Sequence, residues 1–267
     1  MDRSIPRYLA PVLTELELER PTVVTLAWLD EACRRLDLDL GSGELARRLR
    51  MLGWLLPLRA RGAWEFAPGD RAGPWPGGDP FIELRAVLAV RDDVRIGVGY
   101  ESAAFLGSLA SRQPAPEVVV CDEGTPVIRS LQQYRRINLT LADELYGDRT
   151  GLRVQTETGL LAALAIRPDG FGDWPALSEW LRLAVRRADV AALERSLVGR
   201  PAAAWARAAY LLREGGEPDA AAPLLAHRPA KRGPFYLGPR RAGGHHDRTT
   251  DVVDTVVVRY AEAGQGI

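Results

Sequence analysis

Leu9, Val12, Leu13 and Leu16 recur at helical spacing, which predicts an amphipathic helix over 8–19, ended by Pro21. Thr22-Val23-Val24 is short and β-branched and reads as a brief strand. Thr25 suits the N-cap of a second helix over 26–36, with Leu26, Leu29, Cys33 and Leu36 on its inner face. The polar segment 37–41 ends in glycine and suits a tight turn. Ser42 then caps a third helix over 43–52, with Leu45, Leu49 and Leu52 inward and Gly53 as its stop. Trp54-Leu55-Leu56-Pro57-Leu58-Arg59 and Ala63-Trp64-Glu65-Phe66-Ala67 flank the loop Ala60-Arg61-Gly62 and read as a hairpin. Pro57 confines its strand to an edge or a bulge. Helix, short strand, helix, turn, helix, hairpin is the order of a winged helix-turn-helix, whose third helix enters the major groove.

Ala72-Gly73-Pro74-Trp75-Pro76-Gly77-Gly78-Asp79-Pro80 cannot continue a helix or a central strand, so a boundary falls there. Two domains are expected, a winged helix over 1–75 and a larger domain over 80–267. The second opens with helices at 81–90 and 102–109 and strands at 117–121, 136–140 and 152–156. Helices then dominate: 157–167, one opened by Asp173-Trp174-Pro175, 190–197, and one running from Pro201 to Gly215. Late strands are expected at 235–237 and 252–260. The fold class is α+β, an N-terminal winged helix followed by a larger mixed α/β domain with a helical middle.

The chain has 267 residues, 46% hydrophobic and 26% charged, enough apolar mass for packed cores. No apolar run reaches the length of a membrane span. The two cysteines, Cys33 and Cys121, are far apart and read as inert buried thiols of a reducing, cytoplasmic setting. The net charge of +0 excludes a uniformly basic coat, but the charges are unevenly placed. Residues 2–44 hold five arginines against nine acids, whereas 45–64 hold five arginines and no acid. A polyanion meets that as a one-sided basic face. At about 100° per residue, Arg47, Arg50 and Met51 point away from the leucines and Arg48 lies at the flank. Arg47 and Arg50 are the candidates for base edges, because arginine donates two bonds to guanine. Arg48 suits phosphate, and Arg59 and Arg61 on the hairpin suit phosphate or the minor groove. Singly, each arginine reads as a solvated side chain; together, in this order of elements, they point to double-stranded DNA.

Between His227 and His246 lie Arg228, Lys231, Arg232, Arg240 and Arg241 without an acid, with Phe235 and Tyr236 among them. This is either a second nucleic-acid surface or a solvated Gly/Pro-rich loop. His245-His246-Asp247, with Asp251 and Asp254 nearby, reads as a solvated loop, since adjacent histidines lack the spacing of a helical metal site. Gly97-Val98-Gly99 lacks the third glycine of a dinucleotide fingerprint. Trp174, Trp180 and Trp205 lie at helical spacings and are assigned to the core. No catalytic residue, metal or cofactor is expected.

The wing segment running into Trp64-Glu65-Phe66-Ala67-Pro68-Gly69 resembles that of AbiEi-family antitoxins. So do Asp79-Pro80-Phe81-Ile82-Glu83-Leu84-Arg85-Ala86, Glu101-Ser102-Ala103-Ala104 and Gly151-Leu152-Arg153-Val154-Gln155-Thr156. Asp173-Trp174, Arg207-Ala208-Ala209-Tyr210-Leu211-Leu212, Leu237-Gly238-Pro239 and Val253-Asp254-Thr255 extend the resemblance over about 22–259. It implies the antitoxin of a type IV toxin–antitoxin pair, with a winged helix that represses its own operon at inverted repeats. The C-terminal domain would counteract a nucleotidyltransferase toxin without a stable complex. Two other readings stay open on the residues themselves: a winged-helix regulator with a small-molecule effector domain, and a metal-dependent nuclease using the late Asp/His cluster.

Overall fold

Helix α1 (Ala10–Glu19) follows a single 3-10 turn and stops where Arg20 takes a left-handed conformation. After strand β1 (Val23–Thr25), helix α2 (Leu26–Arg35) begins with the Thr25 hydroxyl accepting from the Trp28 amide at 3.1 Å. Helix α3 (Ser42–Met51) is capped by Gly41, and Ser42 is its buried first residue, which corrects the expected Ser42 cap. The Gly53 and Trp54 amides close it by donating to the Arg50 and Leu49 carbonyls. Strands β2 (Leu55–Pro57) and β3 (Ala63–Phe66) form the wing, and β3 also pairs antiparallel with β1. Pro57 therefore lies on an edge strand, where its missing amide costs no ladder bond. Leu9, Leu16, Leu29, Leu45, Leu49 and Phe66 meet in one core. Each such large apolar side chain contributes about 2 kcal/mol on burial.

The computed structural model describes residues 6–70, 77–240 and 243–256. It divides into two compact units, Met1–Val94 with Val127–Gln133, and Arg95–Pro126 with Tyr134–Ile267. Helix α4 (Ile82–Val90) lies in the first unit and packs on β1 and β3 through a face that includes Leu84 and Val87. Most of the Pro/Gly segment, 72–76, is outside the described residues, as are Arg241 and the end of the last expected strand, 257–260.

The second unit holds a five-stranded sheet in the order β6-β5-β4-β8-β7. Its strands are β4 (Ile96–Val98), β5 (Val118–Cys121), β6 (Arg135–Asn138), β7 (Tyr146–Arg149) and β8 (Leu152–Gln155). β4 and β7 carry glycines and do not stand out as apolar runs in the sequence. β4 sits at the centre, with β8 parallel on one side and β5 antiparallel on the other. Helix α5 (Tyr100–Leu106) lies against β5 and β8. Helix α6 (Glu157–Ile166) starts from the Thr156 cap and is buried along most of its length. It is the hub for α7 (Trp174–Arg187), α8 (Val190–Leu197) and α9 (Ala202–Glu214). Helix α10 (Pro218–His227), also unexpected, packs along α9. A small sheet of β9 (Phe235–Leu237), β10 (His245–Asp247) and β11 (Val252–Asp254) leans on α9 through β9 and β11. His245–Asp247 is thus an edge strand and not the expected loop: it pairs antiparallel with β11, and His246 bonds Asp251 at 3.0 Å.

Candidate nucleic-acid interface

α3 presents one apolar and one polar face because its leucines recur at helical spacing. Leu45 and Leu49 are fully buried, Arg47, Arg50 and Met51 are exposed, and Arg48 is half-buried between them. Arg50 has no ion-pair partner among the described residues. Arg47 and Arg48 are both engaged by Glu44, one turn earlier on the same helix. Arg47 donates to both Glu44 carboxylate oxygens at 2.7 Å, and Arg48 Nε to Oε1 at 2.7 Å. Those two guanidinium groups hold the Glu44 carboxyl down at about 2. Glu44 precedes the acid-free segment 45–64 in sequence but lies within the basic face in space.

The sequence reading also missed Tyr8, whose ring lies 5.2 Å from the Arg48 guanidinium. Arg7, beside it, is exposed without an ion-pair partner among the described residues. No spacing rule links 7–8 to 48; only the packing of the first turn on α3 does so.

The two wing arginines differ. Arg61 is exposed and has no partner among the described residues. Arg59 is tied twice within its unit: its amide donates to the buried Glu83 carboxylate at 2.9 and 3.1 Å, and its Nη1 to Gln133 Oε1 at 2.8 Å. α4 thereby fixes the start of the wing loop, and the Arg59 side chain is less free than that of Arg61.

Of the second basic segment, Arg228 is structural in its contacts. It donates to the Thr250 carbonyl at 2.8 Å and stands 5.7 Å from the Phe235 ring. Lys231, Arg232 and Arg240 are exposed, with Arg240 over Tyr236 at 5.2 Å. Trp180 and Trp205 are buried as expected, but Trp174 is only half-buried, which corrects its assignment to the core. Cys33 and Cys121 are buried, and burial raises both thiols. Among the described residues, no group of three or more histidine, cysteine or acidic side chains is placed to hold a metal, and no helix is long and apolar enough to cross a membrane.

Residues 96–214, from the first residue of β4 to the last of α9, match the family of the AbiEi antitoxin C-terminal domain. The resemblance to AbiEi-family antitoxins thus holds over that segment. The crystal structure of the RV2827C protein from Mycobacterium tuberculosis is similar along nearly the whole chain. It shares 29% identity over 99% of this chain and 97% of that one, with a TM-score of 0.82. No curated protein matches the chain.

Proposed function

We propose that this chain is an antitoxin that also represses transcription of its own operon. The observation that carries the reading is an AbiEi antitoxin C-terminal domain match in the same chain as a winged helix with an outward basic face on α3. In this reading α3 enters the major groove of a double-stranded operator with inverted repeats. Arg47 and Arg50 read base edges, since a guanidinium spans guanine O6 and N7. Arg47 must exchange Glu44 for the base, and an exposed ion pair is weak enough to permit that. Arg48, steadied by Tyr8, and Arg61 on the wing meet phosphates. Arg59 adds less because Gln133 holds it. The larger unit counteracts a cognate nucleotidyltransferase toxin without a stable complex.

Co-expression with the neighbouring gene tests both halves. Rescue of growth, together with a mobility shift of the upstream DNA, supports the reading. A neighbour that is not toxic, or a toxic one that this chain does not restrain, refutes the antitoxin half. Loss of sequence preference without loss of rescue in an Arg47→Ala, Arg50→Ala protein supports separate DNA-reading and neutralising parts.

A further inference from the structure

The second unit contains a cleft of about 650 Å3, walled by the segment after α6, the first turn of α9 and the loop around β9. Four cations line it, Arg207, Lys231, Arg232 and Arg240, against one carboxylate among the described residues, Asp169. Asp169 is itself shared with Arg167 at 3.6 Å. Like charges gathered in a concavity repel one another unless an anion joins them.

Arg207 shows the imbalance most clearly. Its Nε donates to the Tyr236 carbonyl at 2.7 Å and its Nη1 to the Ala165 carbonyl at 3.2 Å. Among the described residues it has no ion pair, although it is half-buried. Burial lowers its pKa, Asp169 opposes that shift, and Arg240 adds to it. The two carbonyls fix the direction of the guanidinium, and Asp169 acts on its charge only from beyond ion-pair distance.

The remaining wall sets aromatic rings among prolines and alanines. Tyr236 lies beneath Arg240, and Trp174 is half-buried and braced edge-to-face by Phe171, with ring centroids 5.1 Å apart. The loop carrying Lys231 and Arg232 is anchored at its end, because the Gly233 amide donates to Asp251 Oδ2 at 2.7 Å. Cations that carry no ion pair, beside a partly open indole in a concavity of this size, match the two halves of a nucleotide: phosphate for the cations, base for the ring. A duplex is too broad for such a concavity.

We infer that this cleft binds a nucleotide, its phosphates held by Arg207, Lys231, Arg232 and Arg240 and its base stacked against Trp174. The nucleotide is either free or one unit of a single-stranded RNA. The site is separate from α3 and stands whether or not the winged helix reads an operator.

The test uses the full-length chain carrying Arg47→Ala, Arg48→Ala, Arg50→Ala and Arg61→Ala, so that the winged helix contributes little to binding. Calorimetry with ATP, GTP, CTP and UTP, and anisotropy with a short labelled RNA of mixed sequence, look for binding. Inorganic pyrophosphate is the control. A triphosphate that binds identifies a free nucleotide, RNA binding without any triphosphate identifies a strand, and either supports the site. Adding Lys231→Gln, Arg232→Gln and Arg240→Gln, all exposed, should weaken binding about tenfold or more and reduce a single-strand salt slope by about 2. Trp174→Leu should weaken the nucleotide about tenfold and leave pyrophosphate unchanged. Circular dichroism confirms that each variant is folded. No binding by any probe, binding indifferent to the three glutamines, or pyrophosphate as tight as every nucleotide would overturn the proposal.

Discussion

α3 carries Arg47, Arg48 and Arg50 on one exposed helix surface, with Glu44 of the same helix restraining two of them. The cleft of the second unit instead draws Arg207 from α9 and Lys231, Arg232 and Arg240 from the loops around β9. The first face is convex and two of its three arginines carry a local counter-charge; the second is concave, and of its cations Arg207 is held by carbonyls. A convex face with movable cations suits the regular phosphates and open groove of a duplex. A concave one with a fixed arginine, further cations at its rim and aromatic rings in its wall suits a single small unit. Sign of charge alone therefore does not define a nucleic-acid site; curvature and the partners of each cation do.

The largest expected effect separates the two. Arg47→Ala with Arg50→Ala should lower affinity for a specific operator by at least about thirtyfold, at roughly 1–3 kcal/mol per base contact. The change should be much smaller on random DNA, as competition titrations can measure. Equal losses on both DNAs would remove base reading from α3 and leave it a phosphate-binding face.

Gly159→Ala probes the frame that holds the cleft. A Cβ there would lie 2.2 Å from the Leu145 carbonyl oxygen, which is backbone and does not yield as a side-chain tip does. Loss of about 1–3 kcal/mol in chemical denaturation is expected. DNA binding by the winged helix should persist where the protein remains folded, and its parallel loss would couple the two sites.

The wing arginines give a smaller contrast. Arg61→Ala should reduce the salt slope of DNA binding by about 1, and Arg59→Ala by less, because Gln133 already occupies its guanidinium. Glu44→Gln should tighten binding to all DNA about threefold or more, as it removes one negative charge from the basic face of α3 and frees Arg47 and Arg48. Weaker binding by Glu44→Gln would mean that the pair positions Arg47 for its contact.

The smallest effect is a titration. The Glu44 carboxyl is held at about 2, below its ordinary value of 4.5, so it stays ionised at any pH where DNA binding is measured. A depressed folded pKa gives a stabilising contribution present above the unfolded value and lost as pH falls through the folded one. Carbon-detected NMR should place its midpoint near 2 and move it upward in Arg47→Ala. Salt should also raise it, since the pair is exposed.

Much of the first unit was legible because its signals are local. Leu45 and Leu49 at helical spacing, the Thr25 cap and Pro57 at an edge each depend on residues a few positions apart. The misses arise where local and distant forces disagree. β7 begins Tyr-Gly-Asp and offers no apolar run, yet Thr150 and Gly151 both take positive φ and turn it tightly onto β8. α10 contains Pro223, which reads as a breaker, but packing along α9 holds it helical. β4 is Ile-Gly-Val, and the glycine that hides it follows from crowding: a Cβ at Gly97 would lie 2.9 Å from the Arg153 carbonyl oxygen.

By itself the sequence determined the winged-helix order, the outward placement of Arg47 and Arg50, and the α+β character of the rest, because spacing along one helix or hairpin sets which side chains share a face. Apart from the Glu44 pairs, only the tertiary structure decided which cations are restrained and which are open. Glu44 joins Arg47 and Arg48 through helical spacing alone, but Tyr8 reached Arg48, Gln133 took Arg59, and a loop brought Lys231 and Arg232 beside Arg207 only on folding. An electrostatic partner within a few ångströms changes a charge more than its neighbours in sequence do, and across closed loops those partners are set by packing and not by spacing.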